Sequence, residues 1–184
     1  MSGSLSSLPM DIVNKVKQIR LIVSDADGVL TDGSLYMGAN EDESFVKFNI
    51  IDGMACTIAR ECNLEIAVIS ARKSLSTEQR CKKLHIQHVY TGVADKASQL
   101  REIAANLQIE LAQIAYIGDD LVDLPAMQIV GFSAAPATAV GFVKQHVDYI
   151  TKASGGNGAL RELVELILDA QGVLTNYLQQ YLHK

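Results

Sequence analysis

The stretch Leu21-Ile22-Val23, set in a run that begins at Ile19, constrains this chain more than any other. Its apolar residues are consecutive rather than alternating, the pattern of a strand covered on both faces in a parallel sheet. Such cover comes from helices, so the run already demands an α/β architecture. It closes on Ser24-Asp25-Ala26-Asp27-Gly28, two carboxylates one residue apart and then a glycine that lets the backbone turn sharply. Open α/β sheets bind ligands at the carboxyl ends of their strands. Aspartates also close strands as turn formers. A pair of them crowded at this edge of a buried strand points instead to a site.

The rest of the chain repeats the alternation. Helical spacing covers 9–19, ahead of the first strand, and two short β-type runs at 34–37 and 44–49 flank a polar turn and read as a hairpin. Residues 50–53 close the hairpin, and a helix is predicted over 54–62. Strands then follow at 65–70, 88–90, 114–117, 130–134 and 149–151. Helices are predicted over 75–84 (capped by Ser74 or Ser76), over 97–107, around Pro125 and over 159–170. The fold class is therefore α/β, a doubly wound, mostly parallel Rossmann-like sheet with helices on both faces. The 184 residues make one domain, with a hairpin inserted at about 34–49 and no cap domain. The tail, 172–184, carries a helical stripe too short to stand alone, suited to docking on its own domain or on a neighbour.

Composition narrows the function. Net charge is −5 with no basic cluster, which argues against a nucleic-acid partner. Cys56, Cys62 and Cys81 are odd in number and lack metal-ligand spacing, as expected of free thiols in a reducing compartment. The opening residues lack a charged region followed by an apolar one, and no run is long enough to span a bilayer. A cytoplasmic protein without a membrane partner is expected.

Three further strand ends carry polar groups: Ser70-Ala71-Arg72-Lys73, Asp95-Lys96 and Gly118-Asp119-Asp120-Leu121-Val122-Asp123. In a parallel sheet they converge on the edge that bears Asp25 and Asp27. Acids, a lysine and a hydroxyl at one edge suit phosphoryl transfer. Phosphate-ester hydrolysis can need acceleration approaching ~10²¹, of which general acid–base chemistry supplies only ~10²–10⁴. A nucleophile, charge neutralisation and positioning must provide the rest.

The order Asp-x-Asp, Ser, Lys, Gly-Asp-Asp resembles that of the haloacid dehalogenase superfamily. The longer run Asp25-Ala26-Asp27-Gly28-Val29-Leu30-Thr31-Asp32-Gly33 resembles its capless branch, which acts on 3-deoxy-D-manno-octulosonate 8-phosphate. The resemblance spans about residues 20–171 and extends to Phe48–Gly53 and to Gly155-Gly156-Asn157-Gly158-Ala159-Leu160-Arg161-Glu162. It implies Asp25 as nucleophile, Asp27 as general acid and base, and Lys96 with Ser70 on the phosphoryl oxygens. Mg²⁺ would be held by Asp25, the Asp27 backbone carbonyl and Asp119, with Asp120 and Asp123 supporting from behind.

The substrate of such an enzyme is a phosphorylated sugar acid, whose carboxylate calls for a bidentate arginine. Arg72 and Arg80 are the candidates, with Asn49, Asp52 and Gly53 reaching sugar hydroxyls from the same or an adjacent chain. A capless site is open to water unless its substrate is itself large or another subunit covers it; the resemblance implies a homotetramer assembled through the hairpin, whose Phe45, Val46 and Phe48 offer an apolar face. The chain departs from the family where Ile51 and Thr57 stand in place of basic residues, and where Ala71 replaces a glycine. These changes bear on the sugar acid rather than on the chemistry. Competing readings are a phosphatase of nine-carbon sugar acid 9-phosphates, a receiver domain and a non-catalytic assembly module.

Overall fold

The computed structural model describes residues 8–37 and 43–182. Among the described residues, eight strands form two sheets and eight helices pack around the larger one. The helix α1 (Met10–Lys17) leads into β1 (Leu21–Ser24), every residue of which is buried. Leu21 and Val23 pack into one hydrophobic cluster and Ile22 into another on the opposite side of the sheet, the double cover that the apolar run demanded.

The short antiparallel pair β2 (Tyr36–Met37) and β3 (Glu43–Phe45) is the expected hairpin, although its turn at 38–42 lies outside the described residues. A single bridge between Thr31 and Phe48 ties its base to the body. The regular alternation then runs through α2 (Ile50–Glu61), β4 (Glu65–Ser70), α3 (Leu75–Lys83), β5 (His88–Thr91), α4 (Lys96–Leu107) and β6 (Ile114–Ile117). It continues through α5 (Leu124–Met127), β7 (Phe132–Ala135), α6 (Gly141–Lys144), β8 (Tyr149–Ile150), α7 (Ala159–Ala170) and α8 (Leu174–Gln179).

The six strands of the main sheet are parallel, in the order β5-β4-β1-β6-β7-β8. Helices α1, α2, α3, α7 and α8 contribute to the cluster on one face, and α4, α5 and α6 to that on the other. Numbering only these six strands by sequence, the order is 3-2-1-4-5-6, the dinucleotide-fold order. A receiver domain has the order 2-1-3-4-5, so the topology removes that reading. The direction of winding reverses between β1 and β6, and the crevice at their carboxyl ends is the ligand position of such sheets.

Two local expectations are corrected. Helix α2 begins at Ile50, not near 54, because Asn49 caps it by accepting the Ile51 N–H at 2.9 Å. Ile50-Ile51 reads as β-type in sequence, and only the cap shows that the helix has started. The segment around Pro125 is one helical turn preceded by a 3₁₀ turn at Leu121–Asp123, and α6 is too short for periodicity to reveal. The tail docks on its own body, with Leu174 and Tyr177 buried and the Tyr177 hydroxyl donating to Glu61 at 2.8 Å.

Helix α7 presents Leu160, Leu163, Val164 and Ile167, all fully buried, to α1 and α2. Truncation of a buried leucine removes its transfer free energy and leaves a cavity. Leu163→Ala is expected to lower unfolding free energy by about 2–5 kcal/mol, read from the denaturant midpoint at unchanged slope.

Candidate active site

An open cleft of about 280 Å³ lies at the carboxyl edge of the sheet. It is lined by Asp25 and Asp27 after β1, by Ser70 and Arg72 after β4, by Lys96 at the start of α4 and by Asp119 after β6. Asp120 also lines it, and its carboxylate caps the 3₁₀ turn by accepting the Leu121 N–H at 2.7 Å. Residues spread over nearly a hundred positions thus meet where the winding reverses.

At the floor, Lys96 is 3% exposed and its ammonium lies 2.8 Å from Asp25 Oδ1 and 2.6 Å from Asp123 Oδ1. The Asp95 side chain caps α4 through the Ser98 N–H at 2.9 Å and so sets where Lys96 leaves the helix. Asp123 is saturated. Its Oδ1 also accepts from the Tyr116 hydroxyl at 2.8 Å, and its Oδ2 from the N–H groups of Asp119 and Asp120. It therefore acts from behind, fixing Lys96 and the Asp119 loop together. Tyr116 was not anticipated, since in the apolar run Ile114–Ile117 nothing distinguishes it from a core residue.

Gly28 has φ +84°, and a Cβ there would lie 2.0 Å from Asp119 Oδ2. The glycine thus serves both the turn and the approach of the two acidic loops. Thr31 Oγ1 accepts the N–H groups of Gly28 and Gly33, each at 3.2 Å, and holds the loop in that shape.

Oxygen atoms of Asp25, Asp119 and Asp123 lie within 4.8 Å of one another. Burial, reinforced by Asp123 and opposed by Lys96, pushes Asp25 up to about 8. Burial with Asp123 and Asp120 pushes Asp119 up to about 6. For Lys96 burial works in the opposite sense, but the facing Asp25 and Asp123 outweigh it and hold the ammonium above its usual range. With all groups ionised, three carboxylates and one ammonium leave two negative charges in a buried space. The charge of a divalent ion would cancel them, and hard carboxylate oxygens suit Mg²⁺. Asp25 and Asp119 have the oxygens to hold it, whereas those of Asp123 are spent on Lys96, Tyr116 and backbone.

The remaining candidates divide. Arg72 grips Asp27 with Nε at 3.0 Å and a second guanidinium nitrogen at 2.5 Å. It thus meets a carboxylate of the site itself. Ser70 lines the cleft and donates to the Arg72 carbonyl at 3.0 Å, shaping the turn that carries Arg72. Asn49, Asp52, Gly53 and Arg80 do not reach the cleft and gather instead at the start of α2. Asp52 is 3% exposed and accepts the N–H groups of Gly158 at 2.9 Å and Arg161 at 3.2 Å, capping α7. Arg80 donates to the Asn49 carbonyl at 3.2 Å, lies over the Phe48 ring at 5.9 Å and packs against Gly53. None of the four lines the cleft of this chain. Burial pushes Cys56 up to about 12 and Cys81 up to about 11, consistent with inert thiols.

A sheet in the 3-2-1-4-5-6 order with buried acids and a lysine at its reversal defines a phosphotransferase-type α/β hydrolase. A sequence model of the haloacid dehalogenase-like hydrolases matches residues 49–163, and the chain belongs to that family. Within it, the chain is 42% identical over 164 residues to 3-deoxy-D-manno-octulosonate 8-phosphate phosphatase KdsC of Escherichia coli (strain K12), covering 89% of this chain and 87% of that protein. The crystal structure of the phosphatase of that name from Yersinia pestis superposes with a TM-score of 0.87 at 39% identity, over 90% of this chain and 89% of its own. The Moraxella catarrhalis phosphatase of the same name, in complex with magnesium ion, phosphate ion and KDO, superposes with a TM-score of 0.89 at 36% identity. That match covers 93% of this chain and 98% of the other.

The raised Asp25 and Asp119 carry a stability signature. A carboxyl whose folded value exceeds its ordinary 3.8 takes up protons on folding, so stability falls as pH rises between the two values. The metal-free protein is expected to lose melting temperature from pH 5 to pH 8, and saturating Mg²⁺ to remove most of that decline. Scanning calorimetry with chelator and with Mg²⁺ measures both arms.

Proposed function

We propose that this chain is a Mg²⁺-dependent phosphomonoesterase that releases phosphate from 3-deoxy-D-manno-octulosonate 8-phosphate through an aspartyl-phosphate on Asp25. The observation that carries the reading is the buried Lys96 joining Asp25 to Asp123 beside Asp119, in a cleft at the reversal of the sheet. The relatives named above, one of them holding magnesium and phosphate ions with KDO, support the metal and the substrate class. The intact set Asp25, Asp27, Lys96 and Asp119 speaks against a non-catalytic assembly module.

Asp25 Oδ1 is held by Lys96, which leaves the second oxygen to attack phosphorus in line with the departing sugar oxygen. As that P–O bond breaks, Asp27 gives its proton to the sugar oxygen. It then takes one from the water that attacks the aspartyl-phosphate, releasing inorganic phosphate and free Asp25. Asp27 is the accessible member of the pair, its side chain 34% exposed, and Arg72 orients it; proton transfer requires Arg72 to release one oxygen. Lys96 neutralises charge on the phosphoryl oxygens, and Ser70 steadies the turn beside them. Bound Mg²⁺, held by Asp25 and Asp119, supplies the charge neutralisation that lets a carboxylate approach an anionic phosphate.

The homotetramer and the cytoplasmic setting belong to the same reading. Leu35, Tyr36, Met37 and Phe45 on the hairpin, with Ile50, Ile51 and Met54 on the first turn of α2, are apolar and at least 45% exposed. Such an exposed apolar surface suits burial against other copies. Free cysteines fit a reducing compartment, and among the described residues no helix is long and apolar enough to cross a membrane.

Phosphate release from 3-deoxy-D-manno-octulosonate 8-phosphate with Mg²⁺ is expected, silenced by EDTA and restored by the metal; turnover confined to a nine-carbon analogue would move the substrate assignment. Asp25→Asn is expected to cut kcat by at least about 10³-fold with an unchanged circular dichroism spectrum. Substantial turnover there would discard the covalent route. Sedimentation equilibrium is expected to give four times the 19.9 kDa chain mass, and a monomer would refute the assembly.

A further inference from the structure

Tyr116, on β6, is the bulkiest fully buried side chain among the described residues and belongs to the hydrophobic cluster that includes Leu21, Val23 and Ala126. For packing alone a phenylalanine would serve, and it would spare the cost of taking a hydroxyl out of water. The hydroxyl is explained by its partner. It donates to Asp123 Oδ1 at 2.8 Å, and that same oxygen lies 2.6 Å from the Lys96 ammonium. With the Asp119 and Asp120 N–H groups on Oδ2, each oxygen of Asp123 takes two donors. Of these donors only the phenol comes from a residue that does not line the cleft.

The ammonium of Lys96 has three N–H donors. Asp25 Oδ1 and Asp123 Oδ1 take two, which leaves one for the phosphoryl oxygens. How the ammonium is shared between the two carboxylates depends on how far the phenol already satisfies Asp123 Oδ1. Without the phenol that oxygen keeps a single donor, and Asp123 is fully buried, so no water replaces the lost one. The oxygen then draws the ammonium toward itself, away from Asp25 and from the cleft.

We propose that Tyr116 is a positioning residue for Lys96, holding Asp123 Oδ1 so that the ammonium stays shared between Asp25 and Asp123 with one donor free for the phosphoryl group. The proposal rests on the phosphatase reading above. A displaced ammonium is felt where charge develops on the phosphoryl oxygens, so the transition state suffers more than the bound substrate. The phenol takes no part in the Oδ2 contacts, so the Asp119 loop keeps its anchor and metal binding is left alone.

Tyr116→Phe keeps the packing and removes only the hydroxyl. It is compared, as a full-length protein and well below its melting temperature, with wild type and with Tyr149→Phe. The latter removes a phenol that donates to Glu162 Oε1 at 2.7 Å, outside the cleft. Turnover is measured with Mg²⁺ on 3-deoxy-D-manno-octulosonate 8-phosphate and on p-nitrophenyl phosphate, and inhibition with orthovanadate, a mimic of the five-coordinate phosphoryl group. Tyr116→Phe is expected to lower kcat roughly 10-fold on both esters and to weaken orthovanadate inhibition by a similar factor, with little change in KM or in the half-saturating Mg²⁺ concentration. Tyr149→Phe is expected to keep wild-type kcat and orthovanadate inhibition, whatever melting temperature it loses. Unaltered kcat in Tyr116→Phe would overturn the proposal, as would a loss that added Mg²⁺ restores or one that Tyr149→Phe shares equally. Wild-type protein inert toward both esters would instead remove the phosphatase reading, and the proposal with it.

Discussion

The buried contact of Lys96 with Asp25 and Asp123 is the interaction on which the rest of this structure depends. Desolvating an ammonium costs several kcal/mol, and carboxylates at 2.6–2.8 Å offset that cost only because they are themselves held. Tyr116 and two backbone N–H groups hold Asp123, and the end of β1 together with Gly28 and Thr31 holds the backbone around Asp25. Every element contributing to the charged floor is therefore tied to a strand of the central sheet or to a cap on a helix. Burial first, and then the excess of negative charge on the same floor, lift Asp25 and Asp119 above the ordinary carboxylate range, and that excess is why a divalent ion belongs there.

Around that floor the backbone is arranged by exclusion. Gly28 leaves room for Asp119, and Gly155 and Gly156 leave room for the Gly28–Asp32 loop. These are approaches that a single methyl group would block, so the acidic loops and the glycine-rich loop behave as one packed unit. Asn49 and Asp52 attach that unit to α2, next to the exposed apolar residues of the hairpin and the α2 start.

Much of this was legible in the amino-acid order. Asp25, Asp27 and Asp119 stand just past recognisable strands, Ser70 at the end of one and Lys96 at a helix start. In a parallel sheet that placement alone sends them to one edge. The consecutive apolar residues of β1, β4 and β6 revealed burial on both faces, and the repeated alternation revealed the winding. Less legible was the start of α2, where Ile50-Ile51 favours strand by side-chain shape and helix only by virtue of the Asn49 cap. Tyr116 was hidden for a related reason, because a buried tyrosine in an apolar run declares its hydroxyl partner only when the run is folded.

Chain order and residue type by themselves determined the α/β class, the edge on which the acids gather and the chemistry that acids, lysine and hydroxyl can perform, because strand periodicity and motif spacing are local properties. The tertiary structure alone decided which polar groups face the cleft and which face backbone. Arg72 turned to Asp27, Arg80 to the Asn49 carbonyl and Asp52 to the start of α7. Those choices depend on partners that are 31 to 106 positions away, and a side chain's donors and acceptors are satisfied by whatever the packed chain brings within 3 Å, which no local pattern records.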